Sequence, residues 1–323
     1  MRSFNPVFIA LLWTFFLPSR GLAADLSASM KVGKPDLLSA GPLAFAPDGI
    51  LLVGDPEGGA VFAIETGDRD RLSYPGPIAV ERIDIKAAAL LGVRSARLQI
   101  QGMAVNPASG KAYLSVSHGQ GANGVPAILR VDQQGKIEVV DLENVRFAKA
   151  LLDGSSGARR RSPEKITELT FVNGRVFVAG MSSEAGVPTL RAASFPFKEG
   201  SAEKNAEKPQ EMGGPMEALS HVRTLAPDAI EKEPYLLARI TLSPRAKLPS
   251  GEERAGERAN EFGARDPKDP LDRVMIQTVE AWPYQAIDSM KGVQRMDRLD
   301  DEHALVLVRA ESGTLNLQTV TLP

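Results

Sequence analysis

Residues 43–64, LAFAPDGILLVGDPEGGAVFAI, decide the fold. Leu43-Ala44-Phe45 is a short apolar run closed by Pro47-Asp48-Gly49. Proline presets φ and glycine accepts a left-handed backbone, so this is a turn with a mechanism. Ile50-Leu51-Leu52-Val53 follows as an unbroken apolar run, which suits a strand covered on both faces. The chain breaks again over Gly54–Gly59, and Ala60–Ile64 forms a third strand. Three short strands joined by tight turns make a meander, the unit of a propeller blade.

Working outward, the same order recurs. Met103-Ala104-Val105, the turn Asn106–Gly110 and Ala112–Val116 repeat strand, Pro-to-Gly turn, strand. Ala127–Val131 and Ile137–Val140 complete a four-stranded blade across Gln133-Gln134-Gly135. Leu169–Val172 and Val176–Ala179 flank Asn173-Gly174, a pair suited to a type I′ hairpin turn, and Thr189–Phe195 follows as the next strand. Further units are visible at Val222–Leu225 with Glu233–Ala238, at Val274–Val279, and in the closing pair Ala304–Val308 and Leu315–Leu322. Ser27–Ser39 reads as a lead-in arm, Ile83–Leu91 as an outer strand or a short helix, and Asn144–Asp153 as an amphipathic helix.

Repeat starts near Leu43, Met103, Leu169, Thr224 and Met296 are about 55 to 72 residues apart, more than the ~40–50 of one blade, so undetected blades lie between them. The expectation is an all-β chain forming a β-propeller of five to seven blades, with an irregular or incomplete C-terminal half. The C-terminal strand is expected to close the ring on the first blade, since closure removes sheet edges. Residues 199–214 and 154–162 read as solvated segments. Between Arg245 and Arg273, 14 of 29 residues are charged. No blade can be built from that composition, so residues 242–273 are expected to be a charged, disordered insertion in a single domain spanning 24–323.

Arg2, the uncharged run Val7–Leu17 and Gly21-Leu22-Ala23 have the order of a secretory signal over residues 1–23, too short for a spanning helix. A periplasmic or extracellular protein follows, with cleavage near Ala23. There is no cysteine, which excludes disulfides, thiolate metal sites, a cysteine nucleophile and covalent c-type haem. The 38 basic and 40 acidic residues balance, so no global field favours nucleic acid.

The pattern of Leu43–Ile64, with Val53-Gly54-Asp55 and Val61-Phe62-Ala63-Ile64 in place, resembles the NHL-repeat and gluconolactonase-type propellers. Gly102–Val105, Phe177–Gly180 and the ending from Leu299 are also similar to a group of secreted bacterial propellers of unknown function. This resemblance covers about two-thirds of the chain after the signal and is specific for fold. The lactonase-type enzymes gather acidic and amide side chains around one divalent cation. The resemblance therefore implies a cation such as calcium held by Asp55 and Glu168, with Asn106 and Asn173 as further ligands.

Read from the residues alone, each candidate has two explanations. Asp55 ends a strand, where a carboxylate either faces a site or caps the next turn. His118 follows a strand and opens the glycine-rich run 118–124 with Asn123, so it is either a ligand contact or an ordinary loop residue. Asn106 and Asn173 are both explained by turns. Ser115, Ser117, Ser182 and Ser183 have no Gly-x-Ser-x-Gly setting, and His221 and His303 lie in unrelated segments, so no triad emerges. Arg159-Arg160-Arg161 is either an anion site or a solvated loop. The sequence favours a monomeric binding or interaction module with a small molecule, glycan or protein as partner. A metal-dependent lactonase-type hydrolase and a divergent non-catalytic paralogue are the alternatives. The ligand-binding candidates are His118, Asp55, Glu168 and Asn123.

Overall fold

The structure, a computed structural model, describes residues 30–71, 76–119, 124–152, 165–172, 174–181, 188–197, 210–211, 219–230, 233–242, 274–277, 292–300 and 302–321. Residues 1–23, Asn123, the basic run 159–161, Asn173, Ser182, Ser183 and 243–273 lie outside them. The charged insertion therefore falls almost wholly outside, as does the segment 199–214 apart from Gln210 and Glu211.

The chain enters through β1 (Lys31–Gly33) and then lays down β2 (Leu43–Ala46), β3 (Ile50–Asp55) and β4 (Ala60–Glu65) as the meander read from the sequence. A short strand β5 (Ala79–Val80) leads to α1 (Ile83–Leu90), which settles that ambiguous stretch as a helix. The second blade is β6 (Leu98–Val105), β7 (Ala112–His118), β8 (Val125–Val131) and β9 (Ile137–Val139). Next comes β10 (Val145–Leu151), then the third blade, β11 (Lys165–Val172), β12 (Arg175–Met181), β13 (Pro188–Ser194) and β14 (Gln210–Glu211). A three-stranded sheet follows, made of β15 (Leu219–Ile230), β16 (Glu233–Leu242) and β17 (Val274–Gln277), with β17 parallel to β16. The last blade holds β18 (Val293–Arg298), β19 (His303–Arg309) and β20 (Leu315–Thr321).

The fold is a β-propeller. Among the described residues four sheets are antiparallel blades, so the expected five to seven is corrected to four, flanked by the sheet of β15–β17. The wide spacing of the repeats has another cause than hidden blades: strands leave their own blade. Two expectations fall with this. Asn144–Asp153 is no helix, because its centre, β10, inserts between β1 and β4 as an outer strand of the first blade. Phe147 and Ala150 are buried there, and such distant pairing overrides a helical spacing of apolar residues. The C-terminal strand does not join the first blade either. Instead β20 pairs with β5, with Leu317 opposite Val80. Each of these two blades thus takes its outer strand from a remote part of the chain.

The inner strands lie side by side, β18 next to β6, β6 next to β2, β2 next to β11, and β11 next to β15. Hydrophobic layers fill the gaps between blades and explain the unbroken run Ile50–Val53. Ile50 and Leu52 pack toward the third blade with Leu169, Val176 and Val178. Leu51 and Val53 pack toward the second blade with Ala104, Tyr113 and Ile128. Leu114 and Leu129 meet Leu305 and Leu317 of the last blade in a third layer. Truncating one such leucine to alanine costs about 2–5 kcal/mol, so these layers hold the ring rigid for whatever its loops carry.

Candidate functional site

Three blades end their second strand at equivalent positions, Asp55, His118 and Met181. At the first, the site is closed. Asp55 is fully buried. Its Oδ1 accepts hydrogen bonds from Ser39 N at 2.9 Å, Ser39 Oγ at 2.7 Å and Gly58 N at 2.9 Å, and its Oδ2 accepts from Leu38 N at 2.9 Å. The arm after β1 folds over this strand end and spends the carboxylate on backbone donors. Of the two explanations for Asp55, the turn-and-arm cap is the one the geometry displays.

At the second blade the equivalent place is open. His118 pairs with Leu98 on one side and Val125 on the other, and Gln99 faces Ser117 across the same hairpin. A pocket of about 560 Å³ lies at this rim, lined by Ala96, Arg97, Gln99, Ser117, His118, Gly119 and Gly124. Gly119 is held at φ +124°, a conformation that L side chains rarely adopt, with its N–H on Arg97 O at 3.3 Å. The short 3-10 turn Ser95–Arg97 places Ala96 and Arg97 at the pocket wall. His118 is therefore a pocket residue, and neither Asp55 nor Glu168 lines this cavity, while Asn123 lies outside the described residues.

A separate cluster lines the inner strands. Among the described residues, Glu168 on β11 accepts at its Oε1 from the neighbouring Leu169 N alone, at 3.2 Å. Burial pushes it up to about 8, against the pull of the Arg295 charge and that hydrogen bond, with the Asp297 charge adding to the rise. Asp297 on β18 accepts from Val105 N at 2.6 Å and from Arg298 N at 2.8 Å, and burial pushes it up to about 6. Both keep some accessible surface. Arg295 donates from Nη2 to Gln101 O at 2.8 Å, which ties β18 to the bulge in β6. Sequence reasoning found Glu168 and missed Arg295 and Asp297. Their signal was present, two charged residues two apart in VQRMDR and so on one face of a strand.

Asn106, Ser115 and His303 have structural duties. Asn106 is buried and donates to Asp68 O at 2.8 Å and Asp68 Oδ2 at 3.1 Å, while its own Oδ1 accepts from Ala108 N. Asp68 also accepts from Ser109 Oγ, Lys111 Nζ and Tyr113 OH. Burial would raise this carboxylate, yet those donors outweigh it and hold it below its ordinary value. Tyr113 is pushed up to about 12 by burial and by the Asp68 charge. The network staples the exit of the first blade to the β6–β7 turn. Ser115 donates to Gly41 O inside the protein, and His303 Nδ1 pairs with Asp300 in a local turn. Among the described residues, no group of three or more His, Asp or Glu could hold a metal ion, and no helix is long and apolar enough to cross a membrane.

No protein family matches this sequence, and no curated protein matches it either. Among solved structures the chain is similar to a luciferin-regenerating enzyme, with a TM-score of 0.30 and 11% identity over 61% of this chain and 83% of that one. It is also similar to the PQQ-bound aldose sugar dehydrogenase of Streptomyces coelicolor, with a TM-score of 0.23 and 12% identity over 90% and 98%. A third is a putative oxidoreductase (glucose dehydrogenase) of Thermus thermophilus, with a TM-score of 0.24 and 13% identity over 90% and 86%. Superpositions this loose carry no argument about chemistry, and the fold rests on the strand pairing above.

Proposed function

We propose that this chain is an exported β-propeller that binds a small polar solute at the rim of its second blade. The observation that supports this is the pocket of about 560 Å³ around His118, built on the ends of β6 and β7. Ligand pockets usually span about 300–1,000 Å³ and combine a rigid scaffold with a few convergent polar groups. Export rests on the order of charge, apolar run and small residues in 1–23.

The metal-dependent hydrolase reading has less support, because Asp55 spends both oxygens on four protein donors. The divergent-paralogue reading turns on 245–273, and protease sensitivity of that stretch is its test. The binding proposal is tested by titrating the full mature chain with a library of neutral, anionic and cationic polar solutes, followed by amide NMR. At least one should shift Ser117, His118 and Gly119 and lose that effect in His118→Ala. A library that leaves these amides unmoved sinks the proposal.

A further inference from the structure

We infer that the outward face of α1 is a docking surface for an anionic phospholipid membrane. A surface helix ordinarily buries one apolar stripe and turns charge to the water. In α1 the apolar residues run round the whole helix instead. Ile83, Ala87 and Ala88 are buried in the layer shared by the second and last blades. Arg82, Ile85, Lys86, Ala89 and Leu90 are exposed on the other side, at the three- and four-residue spacing that stacks them on one face. Ile85 is 40% exposed and Leu90 46%, so both apolar side chains are left half open to water. Val139 of β9, 47% exposed, adds to them: it pairs with Leu129, whose sheet face carries the core layer that α1 joins.

The charge around this patch is positive. Arg82, Lys86 and Arg94 are exposed, and among the described residues none of them has an acidic partner. The acids of the same segment are Glu81, which is exposed, and Asp84, whose carboxylate accepts from Leu315 N at 3.0 Å. Three open cations therefore stand against one open acid. Apolar side chains bordered by unpaired cations complement a bilayer surface, where phosphate groups lie over hydrocarbon. A protein partner fits less well, because a stable interface takes about 800 Å² per side and a convex helix of two turns presents far less. A bilayer needs no matching shape and accepts an apolar helix face to a depth of about 5–10 Å.

The test is vesicle binding by the full mature chain at low salt, with phosphatidylcholine alone or mixed with phosphatidylglycerol. The anionic vesicles should bind about tenfold tighter or more, and added salt should release the chain. Lys86→Gln and Leu90→Gln should each weaken that binding about fivefold while leaving the unfolding midpoint in place. A reporter fixes the location: brominated phospholipids should quench Leu90→Trp beyond the parent's own signal. Val32→Trp, at an exposed position on the outer strand of the first blade, should gain no such quenching. Failure to bind anionic vesicles overturns the inference, as does parental binding by both glutamine variants or equal quenching of the two tryptophans. If the vesicles stay unbound while Leu90→Gln dissolves a dimer of the chain, the face belongs to a second copy and the lipid inference falls.

Discussion

Asp55 and His118 stand at the same point in two blades, the last residue of the second strand, and meet opposite fates. The first blade is preceded by an arm, residues 34–42, whose backbone N–H groups at Leu38 and Ser39 descend on the carboxylate. The second blade is preceded by the turn Ser95–Arg97, which stands beside the strand end and leaves a pocket. The propeller repeats the strand and leaves the cover to the connecting segment. What decides whether such a position is structural or available is therefore the segment before the blade.

The largest effect should come from opening the closed end. Asp55→Ala strands three part-buried N–H groups and one hydroxyl, each an unmade hydrogen bond of about 1–3 kcal/mol. Partial recovery by water leaves an expected loss of about 3 kcal/mol or more in urea unfolding. A loss below about 1 kcal/mol would show that the arm holds without its carboxylate, and the contrast with His118 would collapse. The next effect compares two glycines. A Cβ on Gly58 would overlap the Asp55 carboxylate, which four donors fix, whereas one on Gly124 would overlap the Ser117 hydroxyl, which can rotate. Gly58→Ala should cost about 2 kcal/mol, in the range of overpacking. Gly124→Ala should leave the unfolding midpoint near that of the parent and weaken whatever binds the pocket. Equal destabilisation by both would mean that the rim is packed as tightly as the arm.

This contrast also marks what the sequence could disclose. The meanders at 43–64 and 98–139 were readable because their strands are local and their turns carry Pro, Asn and Gly at telling places. The exchange of β5 and β10 between blades was not, since Ala79–Val80 and Val145–Leu151 find partners far away in the chain. A strand such as VRFAKAL satisfies helical and extended spacing alike until Phe62 and Ala63 stand beside it. The choice between cap and ligand at Asp55 was equally closed to the sequence, because it depends on where residues 38 and 39 fall. Glu168 was legible as a lone acid, but Arg295 and Asp297 join it only through the ring.

A third carboxylate sharpens the comparison, for among the described residues Glu168 has one weak donor where Asp55 has four. Burial holds Glu168 up to about 8 and Asp297 up to about 6, while unfolded Glu and Asp ionise near 4.3 and 3.9. The folded state therefore keeps these protons to higher pH than the unfolded chain does. Their contribution to stability is fully present below about pH 4, declines as pH rises through 6, and is lost by the time pH passes about 8. The slope per titrating group cannot exceed about 1.4 kcal/mol per pH unit. Glu168→Gln should flatten the decline between pH 6 and 8 and gain on the order of 1 kcal/mol over the parent at pH 9. A variant whose stability curve follows the parent throughout would show Glu168 to be well solvated and the inner strands open to water at that level.

The smallest expected effect lies at the open end, and it is what separates a site from a cap. No hydrogen bond joins the His118 ring to another described residue, and its surroundings include the pocket. His118→Ala should then change unfolding free energy by no more than about 0.5 kcal/mol, the usual range for surface positions away from special features. The same substitution should abolish ligand-induced shifts at Ser117 and Gly119. Stability unchanged with binding lost is the signature of a residue maintained for contact. A cost above about 1 kcal/mol would place His118 with Asp55 among the groups that hold the blade end shut, and the pocket would then be a gap in the packing with no ligand to explain.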